Sequence, residues 1–137
     1  MKYALILLIT LTALHADMTA TLQGRMIIQQ TQLVQRQAAI IEDKKEEMRE
    51  LSDKLQVLRH QLQAVRQEYN AAKDSPFRTK ARQARLRGEA IQAHIASLQN
   101  TYNSKSEQLR IMSGIHAKDR AELRAMLDAY NGVRGDA

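Results

Sequence analysis

A run of apolar residues spaced alternately three and four positions apart is the feature that most constrains this chain. It consists of Met48, Leu51, Leu55, Leu58, Leu62, Val65, Tyr69 and Ala72. These residues occupy the a and d positions of a heptad repeat over about four heptads. Such a seam predicts a long α-helix that packs along one side against a second helix.

A second seam with the same spacing follows the only proline of the chain, Pro76. Its members are Ala84, Ile91, Ile95, Leu98, Tyr102, Leu109 and Met112, with Gly88 and Lys105 as weaker layers, and the frame resumes at Leu123, Met126 and Tyr130. Glycine is about 1 kcal/mol less favourable than alanine inside a helix. We therefore expect this second helix to continue to the end of the seam, with a kink near Gly114.

Two seams of similar length on either side of one short loop predict an all-α fold, because helices joined by a short loop pack antiparallel. We expect an elongated antiparallel two-helix coiled-coil hairpin. Ser75 and Pro76 suit the cap and first position of the second helix. The expected boundaries are a first long helix at 17–73, a turn at 74–77, a second long helix at 78–131 and a disordered tail at 132–137. Each helix covers only one face of the other, so oligomers are expected.

The seam is less regular in the N-terminal half of the first helix. The frame places Ile27, Val34 and Ile41 at a but Gln30, Gln37 and Lys44 at d, while further apolar residues stand at g: Met26, Leu33 and Ile40. This pattern is consistent with looser packing or with a second contact face. Lys44 and Lys105 both fall at d in layers expected to lie near each other. Polar residues in a seam fix the register of two helices.

The N-terminus, "MKYALILLITLTALHAD", has the pattern of a secretory signal peptide. Lys2 precedes an apolar run of about 12 residues, which ends before the small residue Ala16. A membrane-spanning helix needs about 20 apolar residues. We therefore expect residues 1–16 to be a signal peptide whose removal leaves Asp17 first, and the protein to be periplasmic or secreted. The alternative is a short retained anchor in the inner membrane, with the chain facing the periplasm.

The stretch "DSPFRTKARQARLRG", residues 74–88, is the most distinctive candidate for a binding site. It places basic residues at the start of the second helix, and Glu68 and Glu89 are the nearby acidic residues. Arg59, Arg66 and Lys73 add like charge from the e positions of the first helix. The chain as a whole carries a net charge of +6, which favours anionic partners. The predicted partner-binding residues of this basic tip are Phe77, Arg78, Lys80, Arg82, Arg85 and Arg87.

Catalytic and metal sites are not indicated by the sequence. His60, His94 and His116 are far apart and lack a second ligand at metal-binding spacing. There is no cysteine, and we expect no cofactor and no small-molecule substrate. Nucleic acid is not favoured as a partner, because Phe77 is the only aromatic residue near the basic tip available to stack on bases. A protein partner or a second copy of the chain is expected, and an anionic membrane surface is a further alternative.

These features predict a non-enzymatic exported coiled-coil protein of the bacterial cell envelope, with a structural or adaptor role, that docks through its basic tip. Two alternatives remain. A short basic N-terminus, an apolar segment and a helical rod resemble the inner-membrane spanins, which would imply a membrane-anchored phage lysis subunit. The proportions are also similar to those of small basic helical hairpins in flagellar and type III export systems, which would imply a holdase or a stalk component of a secretion machine.

Overall fold

The computed structural model describes residues 21–76 and 78–135, and the side chains of this part up to residue 132. The described residues form two α-helices, α1 (Leu22–Ala72) and α2 (Arg78–Gly135). The two helices pack against each other. This arrangement confirms the predicted all-α helical hairpin, whereas oligomerisation stays a prediction.

Helix α1 begins at Leu22 because Thr21 caps it. The Thr21 hydroxyl oxygen accepts a hydrogen bond from the backbone N–H of Gly24 at 3.0 Å, and the Thr21 carbonyl accepts one from Arg25 N–H at 3.1 Å. A capping hydroxyl satisfies one of the amide groups that have no partner inside the first helical turn. The sequence predicted a start at residue 17. Residues 17–20 lie outside the described part, and so does the predicted signal peptide.

The connection between the helices begins with a short turn. Lys73 N–H donates to the Tyr69 carbonyl at 2.8 Å, and Ser75 N–H donates to the Ala72 carbonyl at 3.2 Å. The second bond closes a four-residue turn, 72–75, at the end of α1. Helix α2 then begins at Arg78, two residues after Pro76, rather than at Pro76 itself. Phe77 lies outside the described residues.

The chain divides into two compact units, and each contains a segment of both helices. One unit, here called the terminal unit, combines Met1–Ile41 with Met112–Ala137. The other, here called the turn unit, spans Glu42–Ile111. Within each unit the α1 segment packs against the α2 segment in the antiparallel sense.

The core of the terminal unit is formed by Ile27, Leu123 and Tyr130, all at most 6% exposed. Around this cluster pack Ile28, Val34, Met126 and Leu127. The hydroxyl of Thr31 is also buried and donates to the Ile27 carbonyl at 2.8 Å. The core of α1 therefore keeps the a positions of the heptad frame, with Thr31 beside them.

The irregular apolar residues of α1 do not enter this core. Met26, Leu33 and Ile40 remain 51%, 41% and 45% exposed, while Ile27 and Ile41 at the a positions are buried. We call these three exposed residues the g stripe. Half-buried polar residues at the d positions and an exposed apolar stripe therefore occur together.

Helix α2 corrects one expectation. It is α-helical throughout 113–116, on both sides of Gly114, and the kink expected there stays a prediction. It also continues to Gly135, whereas a disordered tail was predicted from residue 132. The buried side chain of Tyr130 anchors this last part of the helix.

In the turn unit the predicted seam forms the interior. Leu55, Leu62, Val65 and Ala84 are buried. Most other seam residues of this unit are half-buried, namely Met48, Leu51, Leu58, Ile91, Ile95, Leu98, Tyr102 and Leu109. The exception is Tyr69, which is 37% exposed near the turn. Met112, the last residue of the predicted seam, is half-buried in the terminal unit.

Candidate docking surface

The basic tip lies where α1 ends and α2 begins. The side chains of Arg78, Lys80, Arg82, Arg85 and Arg87 are all exposed on the first turns of α2. The antiparallel packing brings Glu68 of α1 beside this segment, where its carboxylate meets the guanidinium of Arg87 at 2.6 Å. The basic residues predicted as a binding site are therefore all exposed on the segment of α2 next to the turn. The predicted contribution of Phe77 lies outside the described residues.

The charge of the basic tip is only partly compensated. Besides Arg87 with Glu68, Arg85 approaches Glu89 at 3.7 Å. Arg78 and Arg82 form no ion pair with any residue that the structure describes. Exposed ion pairs of this kind contribute only about 0–1 kcal/mol each. The tip therefore keeps an excess of positive charge.

The backbone does not compensate this charge either. The first turn of α2 contains no acidic residue, although its exposed N–H groups carry partial positive charge that favours anions. Basic side chains at this end of a helix are disfavoured by a few tenths to about 1 kcal/mol. An anionic group that docks here would meet both the side chains and the end of the helix.

An open cleft of about 580 Å³ lies beside the tip. Its lining residues come from both helices: Glu68, Ala71, Ala72, Ser75, Lys80, Gln83 and Arg87. Small-molecule sites are usually enclosed and mostly apolar, with a few convergent polar groups. This cleft is open, and the carboxylate of Glu68 already engages Arg87. Its geometry suits the edge of a docking surface for a charged macromolecule better than a pocket for a small substrate.

The described histidines are not part of the basic tip. His60 and His94 are exposed, and His116 is half-buried against Gln37, with its Nδ1 3.3 Å from Gln37 Oε1. In the part of the chain that the structure describes, no three His, Asp or Glu side chains are grouped closely enough to hold a metal ion.

The interior of the terminal unit contains a polar network that sequence reasoning missed. The side-chain amide of Gln37 donates to the carboxylate of Asp119 at 2.5 Å, and that of Gln30 donates to the Asp119 carbonyl at 3.1 Å. Because the Gln37 NH₂ group faces Asp119, its oxygen faces His116, which must then donate from Nδ1. The signal was present in the heptad frame, which places all four polar residues at a or d positions of the two helices.

A second polar layer lies in the turn unit. The ammonium of Lys105, at a d position, contacts the carboxylate of Glu47 at 2.5 Å. The hydrogen bond from Lys105 and the charge of that lysine lower the pKa of the Glu47 carboxyl, and the charge of Lys44 adds to the effect. The negative charge of Glu47 thus offsets the positive charge of both lysines, which the sequence predicted to lie in nearby layers.

No protein-family model, curated protein or solved structure matches this chain. Neither described helix includes a segment whose length and apolar character would allow it to span a bilayer.

Proposed function

We propose that this protein is a non-enzymatic coiled-coil adaptor or structural protein of the bacterial cell envelope, which docks on an anionic envelope component through its basic tip. The observation that carries the proposal is the concentration of exposed basic side chains where α2 begins, which Glu68 and Glu89 compensate only in part. These charges do not favour the start of a helix. Their presence is better explained by recognition than by folding.

The bacterial envelope enters the proposal through the N-terminal sequence. The pattern of residues 1–16 is that of a signal peptide, and its residues lie outside the described part of the chain. Export would place the hairpin where anionic lipid headgroups and envelope proteins are its neighbours. Each basic residue held near an anionic membrane contributes about 1 kcal/mol of binding, which salt weakens.

The test uses the triple variant Arg78→Glu, Arg82→Glu, Arg85→Glu. These residues are exposed and lie outside the seam, and glutamate forms helices about as well as arginine, so helicity should be retained. The matched control is Lys118→Glu, Arg120→Glu, Arg124→Glu, which makes the same change of net charge at exposed positions of α2 in the terminal unit. Circular dichroism checks that both variants are folded.

Docking is measured by co-sedimentation with envelope vesicles from the expressing bacterium. We expect wild type and control to sediment with the vesicles at low salt and to be released as salt is raised, while the tip variant stays in the supernatant. Vesicles treated with protease distinguish a protein partner, whose loss abolishes binding, from lipid headgroups, which remain. Equal sedimentation of the tip variant and the control would refute docking through the tip. The mass of the exported chain, expected to begin at Asp17, checks the compartment in the same preparation.

A further inference from the structure

The exposed charges of the turn unit are unevenly distributed over its two flanks. Two contacts between the helices define these flanks. Arg59 donates to Gln99 at 3.1 Å on one flank, where the e positions of both helices meet. Arg87 contacts Glu68 at 2.6 Å on the other, where the g positions meet. Heptad positions b and e therefore belong to the first flank, and positions c and g to the second.

The first flank is basic over the half of the turn unit nearest the turn. Its exposed basic residues, here called the basic flank, are Arg59, Arg66, Lys73, Arg78, Arg82 and Arg85. At the b and e positions of 56–73 and 78–99 the sequence contains a single acidic residue, Glu89. Arg66, Lys73, Arg78 and Arg82 have no carboxylate partner among the described residues. This flank includes part of the basic tip but extends well beyond it along α1.

The second flank has an excess of acidic residues farther from the turn, where Lys54 is an exposed basic residue at a g position. Its acidic residues lie at positions c, f and g of α1 and are here called the acidic flank: Asp43, Glu46, Glu47, Glu50 and Asp53. Glu46 is paired with Arg49 at 2.7 Å, and Glu47 with Lys105. Asp43, Glu50 and Asp53 are exposed and form no ion pair within the described chain. In a protein with a net charge of +6, this local excess of negative charge calls for an explanation.

We propose that the two flanks are complementary halves of one interface, through which the basic flank of one copy of this chain docks on the acidic flank of a second copy. The net charge of the chain opposes such contact only at long range. At physiological salt the Debye length is about 8 Å, while each helix is about 10 Å thick. Charges on the contacting flanks therefore decide the interaction, and those on the far side of the hairpin are largely screened.

The placement of the flanks sets the type of assembly. An isologous dimer uses the same patch on both copies, but here the two charged surfaces lie on opposite sides of the seam. The contact is therefore heterologous, and each copy keeps one unused flank that can bind a further copy. The centre of the acidic flank lies level with residue 48 of α1, and the centre of the basic flank lies level with residue 68. At a rise of 1.5 Å per residue, the two centres are about 30 Å apart along the helix axis. Neighbouring copies are accordingly expected to be staggered by about this distance.

The inference does not depend on docking to another envelope component, and the test leaves the tip arginines unchanged. One variant reverses the basic flank with Arg59→Glu, Arg66→Glu and Lys73→Glu. The other reverses the acidic flank with Asp43→Lys, Glu50→Lys and Asp53→Lys. All six positions are exposed and lie outside the seam, and circular dichroism confirms that the variants remain helical.

Sedimentation velocity at about 150 mM salt, here the low-salt condition, and at about 500 mM salt measures the association of the chain purified from its host. We expect wild type at low salt to show a mass that rises continuously with concentration, and at high salt to show the monomer, because salt screens exposed charges. Each variant alone should self-associate about tenfold or more weakly than wild type, since three attractive contacts become repulsive. An equimolar mixture of the two variants should associate again, because each supplies the flank that the other lacks.

Three results would overturn the proposal. The first is a wild-type chain that stays monomeric at low salt. If that monomer binds a polyanion such as heparin, the basic flank is a site for polyanions instead. The second is unchanged association of both variants, which would indicate an interface through the g stripe. The third is a mixture of folded variants that remains monomeric. None of these results bears on docking through the tip arginines, which the vesicle experiment tests separately.

Discussion

At the residue scale, the interior of this hairpin is interrupted by polar side chains that satisfy one another. Among the described residues no buried side-chain nitrogen or oxygen lacks a hydrogen-bond partner. Gln37 and Asp119 form one such contact across the terminal unit. In the turn unit the half-buried Lys105 contacts Glu47, which is exposed beside the seam. Two polar side chains in a seam can contact each other in only one alignment of the helices. These contacts therefore favour one alignment of the two helices over slipped ones.

The contact of Glu47 with Lys105 predicts a pH dependence. The pKa of Glu47 is lowered from its ordinary value of 4.5, so the carboxylate contributes stability above the unfolded pKa that is lost as the pH falls through the folded pKa. We expect wild type to lose more stability than Glu47→Gln when the pH is lowered from about 6 to about 3. Urea unfolding followed by circular dichroism at both pH values measures the difference.

The control for this prediction is Glu50→Gln, which removes an exposed carboxylate from the same helix. Glu50 forms no ion pair with another described residue. Its replacement should leave the acid sensitivity of the chain close to that of wild type. If Glu47→Gln and Glu50→Gln respond alike to acid, the contact with Lys105 contributes nothing to the pH dependence of folding.

At the scale of the helices, α2 remains continuous although it contains several glycines. A Cβ atom added at Gly88 would lie 3.6 Å from Val65 Cγ1 and 3.9 Å from Leu62 Cδ1, which are ordinary van der Waals distances. A Cβ atom added at Gly114 would meet nothing within 4 Å. No described glycine has a positive φ. Neither position therefore requires glycine for steric or conformational reasons.

We expect Gly88→Ala and Gly114→Ala each to stabilise the chain by about 1 kcal/mol, because alanine is the better helix former. Gly88→Ala should be at least as favourable as Gly114→Ala, since its methyl group adds contact with the seam. Thermal unfolding followed by circular dichroism gives the comparison, with Gln92→Ala as a control of similar helix propensity on the same helix. A lower melting temperature for Gly88→Ala would show that the helices approach more closely there than alanine permits.

The sequence predicted the helices better than it predicted their ends and their polar contacts. The heptad frame identified the seam of both helices, because burial repeats with the same period as the apolar residues. It also carried α2 past Gly114, since inward-facing residues on both sides outweigh the weak propensity of one glycine. The cap at Thr21 and the contact of Gln37 with Asp119 depend on individual hydrogen bonds, which no periodicity specifies. Of the basic tip, the sequence predicted the residues but not which of them are paired.

At the scale of the whole molecule, the two seams meet within one chain. A Cβ atom added at Gly88 would lie within van der Waals distance of Val65 across the turn unit, and the chain has no cysteine. We expect Val65→Cys combined with Gly88→Cys to form a disulfide within a single chain on mild oxidation, at a yield independent of protein concentration. Non-reducing electrophoresis and mass spectrometry distinguish this product from a crosslinked dimer.

The matched control replaces Val57 instead of Val65, because the side chain of Val57 is 55% exposed and its heptad position faces away from α2. The pair Val57→Cys and Gly88→Cys should remain reduced under the same conditions. Crosslinks that form only between chains in the Val65 variant would show that the helices exchange partners in solution.

The antiparallel packing of the terminal unit has a mechanical consequence. The first turns of α1 lie beside the last turns of α2, where Ile27 contacts the cluster of Leu123 and Tyr130. A force that pulls Gln23 and Asn131 apart acts across the helix pair rather than along it, so it loads one layer of side chains at a time. The two helices of the terminal unit would therefore separate layer by layer, first at this apolar cluster and then at the contact of Gln37 with Asp119. The force needed at each step would be that which separates a single layer of side chains. A force applied to both ends could therefore separate the two helices stepwise while each stays helical.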